Sequence, residues 1–449
     1  MSISTTIRDR LRRVMPWAYG NTKHNYAADF GWHETLRFEH FHYLYTRNSI
    51  AAAGVDKTIA KTWQSAPALW ENPDKPADTP LETQVADHFR TIGLWRQMMT
   101  VDRRGMVGAY AGAIVLVRDG RPLDSEVGRL RSIQDIAGII PAWEGQLTVA
   151  EWDQDVTSDT YGLPSMWQFD EAQVGDPTTT QRRSARIHPD RILIWSEDGI
   201  NGRSDLEPGF NDLVDAEKIR GAGGEGFWKT SRGSPILETT KGADGKAISI
   251  QEMMRATGAA TPQALTDQLN AKVDDWQSGF DKAFMAGGFT VSPLTITLPQ
   301  PKEFWEPCIQ GFAASLSIPF KVLIGNVTGE RASTEDANEW AQTCMSRREN
   351  LVIPMLEEFV RRLVRWGALP VPMTVGWASL LEDGPDAKLD RAVKMTTANS
   401  GGEMIFMVDE IRETAGYAAA EDTEGFEEEA EAAEDAATEA LEAQAEVPE

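Results

Sequence analysis

Between Ser333 and Trp366 apolar residues return every three or four positions: Ala337, Trp340, Ala341, Cys344, Met345, Val352, Met355, Leu356, Phe359, Val360 and Leu363. That spacing puts them on one face of an α-helix. Glu335, Asn338, Glu339, Gln342, Ser346, Arg347, Glu349 and Asn350 fall on the other. The pattern predicts one amphipathic helix over 334–366, capped by Ser333 with Asp336 in the third position. Pro354 lies inside it. Proline has no N–H and crowds the carbonyl of Asn350, so the helix is predicted to kink there. The segment 325–333 before it has one apolar residue, Val327, and is predicted to be an exposed, mobile loop.

Elsewhere the period alternates between helix and strand. Residues 34–65 and 82–110 read as helices, and 109–123 as a strand closed by the turn dipeptide Asp119-Gly120. Residues 137–150, 161–169 and 185–195 continue a β-rich region. A helix is predicted over 205–232, with Asp205 as N-cap and Pro208 in the first turn. A short strand at 234–240, a helical region at 250–285, a strand region at 287–301 and a shorter helix at 302–318 follow. Past Gly367 come a strand-like VPMTVGWASLLED, a helix PDAKLDRAVKMTTAN, and a glycine turn with a short helix within 400–417. The fold class is α+β. No repeat of solenoid period is visible.

Composition narrows the function. The 449 residues are 41% hydrophobic and 25% charged, which is ordinary for a globular chain, and allow two to four domains. Net charge is −25. The Ala/Glu-rich tail 418–449 holds thirteen acids and no lysine or arginine, which leaves −12 on the rest. This balance argues against tight capture of a nucleic-acid backbone. It leaves room for a wall past which DNA slides. Cys308 and Cys344 are too few for a disulfide framework and have no metal-ligand spacing. No run of eighteen apolar residues predicts a membrane span. The basic N-terminus MSISTTIRDRLRRVMPW lacks the apolar core of a signal peptide.

Three decoys for chemistry fail on spacing. Gly325 and Gly329 are four apart, and Glu330 and Arg331 stand where a phosphate-binding loop needs Lys and Ser/Thr. Gly221, Gly223 and Gly226 have dinucleotide-site spacing, but the residues before them read as helix rather than strand. They are expected to break that helix and let chains approach closely. His33 is followed by Glu34 but not by a second histidine at 37, and His40 and His42 lie about 200° apart on a helix. No catalytic residue, metal ligand or cofactor is expected.

The segments HYLYTRNSIAAAGVDKTIAKTW, AYAGAIVLVRDG, YGLPSMWQF, IHPDRILIW, IPFKVLIGNVTGERASTEDANEW, WASLLEDGPDAKLDRA and SGGEMIFMVDEIRETAGY occur in that order. Together, over about residues 35–417, they resemble the portal proteins of tailed bacteriophages, in the DUF1073 or anti-CBASS-like branch. Asp190 stands where that family usually has serine.

The resemblance implies a homo-oligomeric ring of about twelve subunits around a DNA channel. It implies an α/β wing at 1–204, a stem helix at 205–232, a small α/β clip at 233–301 and a second stem helix at 302–318. The tunnel loop and long kinked helix fall at 319–367 and the helical crown at 368–417, followed by the acidic tail. Asn326, Thr328, Gly329, Glu330 and Arg331 would face DNA, and Pro354 would bend the helix behind them. Implied partners are the major capsid protein, the terminase large subunit, a head-completion adaptor and, non-specifically, double-stranded DNA, but no membrane. The location would be the virion, assembled in the host cytoplasm. Two readings compete: a non-portal ring-forming scaffold of the virion, and a nucleotide-binding enzyme using the Gly221–Gly226 turn.

Overall fold

The computed structural model describes residues 26–72, 79–171, 184–232, 235–239, 249–278, 289–293, 300–325, 330–381, 385–399 and 405–417. The chain divides into two units, residues 1–378 and 379–449.

Residues 34–65, read as helices, hold α1 (Phe38–Arg47) and α2 (Ser49–Thr62). Asn48 separates them. Its backbone is extended, and its side-chain oxygen accepts the N–H groups of Ile50 and Ala51, which caps α2. Strand β1 (Ala68–Trp70) follows. Helix α3 (Pro80–Ile92) opens on a capping box, Thr79 with Glu82, and ends at Gly93, where φ is 65°. Helix α4 (Leu94–Val107) begins at once.

The β-rich region forms two antiparallel three-stranded sheets. Strands β2 (Ala111–Val117), β3 (Ile136–Trp143), β4 (Leu147–Trp152), β5 (Pro164–Asp170), β6 (Ser184–Ile187) and β7 (Ile192–Trp195) pair in the orders β3–β2–β7 and β4–β5–β6. The run AGAIVLV is apolar on both faces because β2 is covered on both. Ala111, Ala113 and Val115 face the helical core, while Ile114 joins Leu147, Trp167, Phe169 and Ile187 between the sheets. Gly112 sets that spacing: a Cβ there would lie 2.3 Å from the Leu147 side chain.

Helix α5 spans Phe210–Arg232, four residues later than the Asp205 cap predicts. The Ser204 hydroxyl donates to the Val107 carbonyl and accepts the Leu206 N–H, so a tertiary hydrogen bond holds 204–206 as a turn. Nor does the glycine run break the helix, which continues through Gly221–Gly226. Beyond it come β8 (Pro235–Thr239), α6 (Ile250–Thr257), α7 (Pro262–Ser278) and β9 (Phe289–Pro293), with β8 and β9 paired antiparallel. Over its described residues, 250–278, the predicted helical region is thus two helices, divided at Gly258 (φ 71°).

Helix α8 (Pro301–Ser315) and the short α9 (Phe320–Ile324) precede the long helical stretch, which differs from its prediction. Helix α10 runs Glu330–Arg347, so Ser333 lies inside it and caps nothing at its start. Glu330, Arg331 and Ala332 are good helix formers, and an acid in the first turn suits the helix dipole. A π-helical turn, Arg348–Val352, then joins α10 to α11 (Ile353–Trp366). Pro354 sits in the first turn of α11. The disturbance therefore precedes the proline, as one wide turn inserted into the helix. After Gly367 (φ 85°) only Thr374–Gly376 of the strand-like segment pairs, as β10 against β1.

In the second unit α12 (Pro385–Asn399) packs on α13 (Val408–Thr414). The Asn399 side chain fixes their connection, accepting from the Ile405 and Phe406 N–H groups and donating to the Phe406 carbonyl.

Candidate functional site

Helices α5 and α8 run antiparallel at very close range. A Cβ on Gly209 would sit 2.5 Å from Phe312, one on Gly311 2.8 Å from Asp212, and one on Gly223 2.9 Å from Pro301. Gly221 and Gly224 have nothing within 4 Å. The glycines expected to break the helix thus include one that lets a second helix approach. Tertiary contact offsets the roughly 1 kcal/mol that each glycine costs a helix. At the outer end of the pair Phe227, Trp228 and Phe304 are exposed.

Helices α9 and α10 flank residues 326–329. Gly325 leaves α9 at φ 104°. The Lys57 ammonium donates to the carbonyls of Val322 (2.6 Å) and Leu323 (3.0 Å), placing positive charge at the C-terminus of α9. Lys321 on α9 pairs with Asp336 on α10 at 3.4 Å. Both sides of the gap are therefore tied to each other or to α2.

The far end of α10 is held more strongly. Asp102 on α4 is fully buried and accepts four hydrogen bonds: from the indoles of Trp63 and Trp195, each at 2.8 Å, and from Arg347 at 2.8 and 2.5 Å. The bidentate pair holds the Arg347 guanidinium above its ordinary range, against the effect of burial. The next residue, Arg348, is also buried, donating to the Thr62 and Ala378 carbonyls with its guanidinium 4.2 Å from the Trp377 ring centroid. The helix widens into the π turn at Arg348, directly after Arg347, and both adjacent arginines reach inward.

Beside this hub opens a cleft of about 620 Å³, with Glu197, Arg203, Asp205, Ser317, Trp340 and Arg347 among its lining residues. Surrounding protein pushes the Asp205 carboxyl up to about 6, helped by the Glu197 and Asp102 carboxylates and opposed by Arg347 and Arg203. Ser317, at φ 54°, is the described non-glycine residue in left-handed backbone.

The opposite end of the β2–β7 pair carries a second polar knot. Asp119 and Arg191 form a buried ion pair at 2.5 Å. Burial works against the Asp119 charge, but the Gly128 N–H, Arg191 and the Arg121 N–H together hold its carboxyl below the usual range. Asp190 accepts from the Val127 N–H (3.0 Å), the Trp366 indole (3.1 Å) and Arg365. Arg362 donates to the Pro189, Asp190 and Ile192 carbonyls. Aspartate at 190, in place of the serine of the resemblance, thus ties α11 to the sheet.

Asn326, Thr328 and Gly329 lie outside the described residues. Glu330 and Arg331 open α10 as helix rather than loop. Pro354 lies two residues past the π turn's end. Sequence reasoning missed Asp102 and Arg348 and placed Arg347 on the polar face. A lone acid among apolar helix positions, Val101-Asp102, was the available signal. His40 and His42 are held structurally: His40 Nδ1 accepts the Arg37 N–H at 3.0 Å, and the His42 ring meets Trp143 edge-on at 5.0 Å.

A family model described as phage portal protein matches residues 39–398. Solved structures that match the chain include the neck of a native gene transfer agent particle computed with C12 symmetry (TM-score 0.48, 14% identity, 85% of this chain and 94% of that one). The virion of a native gene transfer agent particle gives TM-score 0.49 at 14% identity and the same coverages. An HK97 family phage portal protein from Corynebacterium diphtheriae gives TM-score 0.42 at 12% identity, covering 76% of this chain and 96% of that one. No curated protein sequence matches.

Proposed function

We infer that the chain, which belongs to the phage portal protein family, serves as a phage portal. From that membership we propose that it forms a virion ring of about twelve copies around a channel through which double-stranded DNA is packaged and ejected. The observation that carries this reading is the length of the family match, which runs from α1 into α12. In this reading residues 1–204 are the wing, which meets the major capsid protein. The close-packed α5 and α8 are the stem. Residues 233–301 are the clip, which meets the terminase large subunit and later a head-completion adaptor. Residues 368–417 are the crown, and the acidic tail lies at its capsid-interior end.

Asn326, Thr328, Gly329, Glu330 and Arg331 face the DNA in this proposal. Arg331 makes transient phosphate contacts, and Glu330 keeps them weak enough for the duplex to slide. Such a conduit needs no reacting group. A net charge of −25 per copy, repeated around a ring, works against tight capture of the duplex by the wall.

Negative-stain electron microscopy of the purified protein is the test. Rings of roughly a dozen copies with an axial hole are expected. A homogeneous monomer or small dimer would refute ring formation by this chain alone. Once rings are seen, unchanged DNA packaging and retention in Arg331→Ala would refute the role given to that side chain.

A further inference from the structure

Both ends of the β2–β7 pair are polar, but their exposed charge differs in sign. The strands are antiparallel, with Ala111 opposite Trp195 and Ile114 opposite Ile192. The cleft beside the Asp102 hub opens where β7 ends, at Trp195 and Ser196. The 118–131 loop leaves β2 at its other end, about 20 Å away along seven strand residues. Over residues 196–207 the cleft wall carries Glu197, Asp198 and Asp205 against Arg203 alone. Over residues 118–131 the loop exposes Arg118, Arg121, Arg129 and Arg131 against Asp124 and Glu126, because Asp119 is spent inside on Arg191. An arginine-rich surface stands out in so acidic a chain.

Both features are rigidly built. The loop is pinned by Gly128 N–H to Asp119, Arg191 to the Ser125 carbonyl, His188 N–H to the Leu123 carbonyl and Leu130 N–H to the Trp366 carbonyl. The cleft is backed by the four-fold hydrogen-bonded Asp102. A preformed recess and a preformed exposed loop of opposite charge, at opposite ends of one sheet, suit a head-to-tail contact between identical chains. Contacts of that type generate rings when the rotation closes.

We propose that the cleft beside Glu197 and Asp205 in one copy receives the arginine-bearing 118–131 loop of the next copy around the ring. The proposal rests on the ring reading above and adds the two surfaces that meet. Complementary charge there sets the register and direction of assembly more than its tightness.

Charge reversal tests it. The cleft variant carries Glu197→Lys and Asp198→Lys; the loop variant carries Arg129→Glu and Arg131→Glu. All four side chains are exposed, and each variant is first checked for an unchanged far-ultraviolet spectrum and melting temperature of the unassembled chain. Each variant alone should lose at least tenfold of its ring population by native mass spectrometry and microscopy. Mixed in equal amounts, the two should assemble again, in rings holding equal numbers of each, because every junction then pairs opposite charges. The chain carrying all four substitutions should also form rings. If wild-type rings form and both reversals leave them intact, the contact is wrong and the ring reading stands. If reversals abolish rings but neither the mixture nor the four-fold variant restores them, the pairing is equally refuted. A wild type that forms no rings overturns the ring reading and this contact together.

Discussion

Asp102→Ala should be the most damaging single substitution in the Asp102–Arg347 hub. It removes the sole acceptor shown for two buried indole N–H groups and the counter-charge of Arg347. Breaking a buried pair from one side costs about 3–5 kcal/mol, and each orphaned buried donor adds about 1–3 kcal/mol. Arg347 keeps 15% of its side chain exposed toward the cleft, so water recovers part of its charge. We expect a net loss of about 5 kcal/mol. At about 2.1 cal/mol/K per residue, the 378 residues of the first unit have an unfolding entropy near 0.8 kcal/mol/K. The melting temperature of that unit should therefore fall by about 6 °C, read by circular dichroism at fixed protein concentration so that assembly does not shift it. Asp102→Leu combined with Arg347→Met leaves no unpaired charge and should recover several degrees. A fall under about 1 °C for Asp102→Ala, or additive single effects in the cycle, would refute the account of the hub as a coupled network.

Three further outcomes follow from the same geometry. Gly221→Ala should stabilise by about 0.5–1 kcal/mol, because its Cβ meets nothing, whereas Gly223→Ala should give no gain because Pro301 stands in the way; urea midpoints compare them. Asp119 has a carboxyl held below its ordinary value, so its ion pair contributes stability above about pH 4 that is lost as pH falls through the depressed value. Asp119→Asn should lower the urea midpoint at pH 7 and converge on wild type in strong acid. Asp205 is shifted the other way, to about 6, so its ionisation costs stability as pH rises from its unfolded value through 6. Asp205→Asn should leave stability unchanged below that range and raise it at pH 7, by thermal melts across pH.

Period alone located α10 and α11, because Leu356, Phe359, Val360 and Leu363 must share one face to be buried. It also located β2, whose unbroken apolar run is what a strand covered on both faces requires. Boundaries were less legible. Asp205 and Ser333 are good caps by type, yet a hydrogen bond from Ser204 to the Val107 carbonyl delays one helix, and strong helix formers start the other early. Tertiary contact, invisible in a local window, decided both. The same holds for Gly223, where composition suggested a break and the approach of Pro301 instead uses the missing side chain.

The family was legible in the order of its segments, since a shared fold leaves the same spacing of strands, turns and helices along the chain. What the sequence by itself determined was therefore the succession of elements. Only the tertiary structure decided which charges are hidden. Arg347 reads as solvent-facing, and Arg348 has no assigned place, until Asp102, 245 residues earlier than Arg347, and the Thr62 and Ala378 carbonyls are brought against them. A charge can be buried only where partners converge on it, and partners far apart in sequence leave no mark on local pattern.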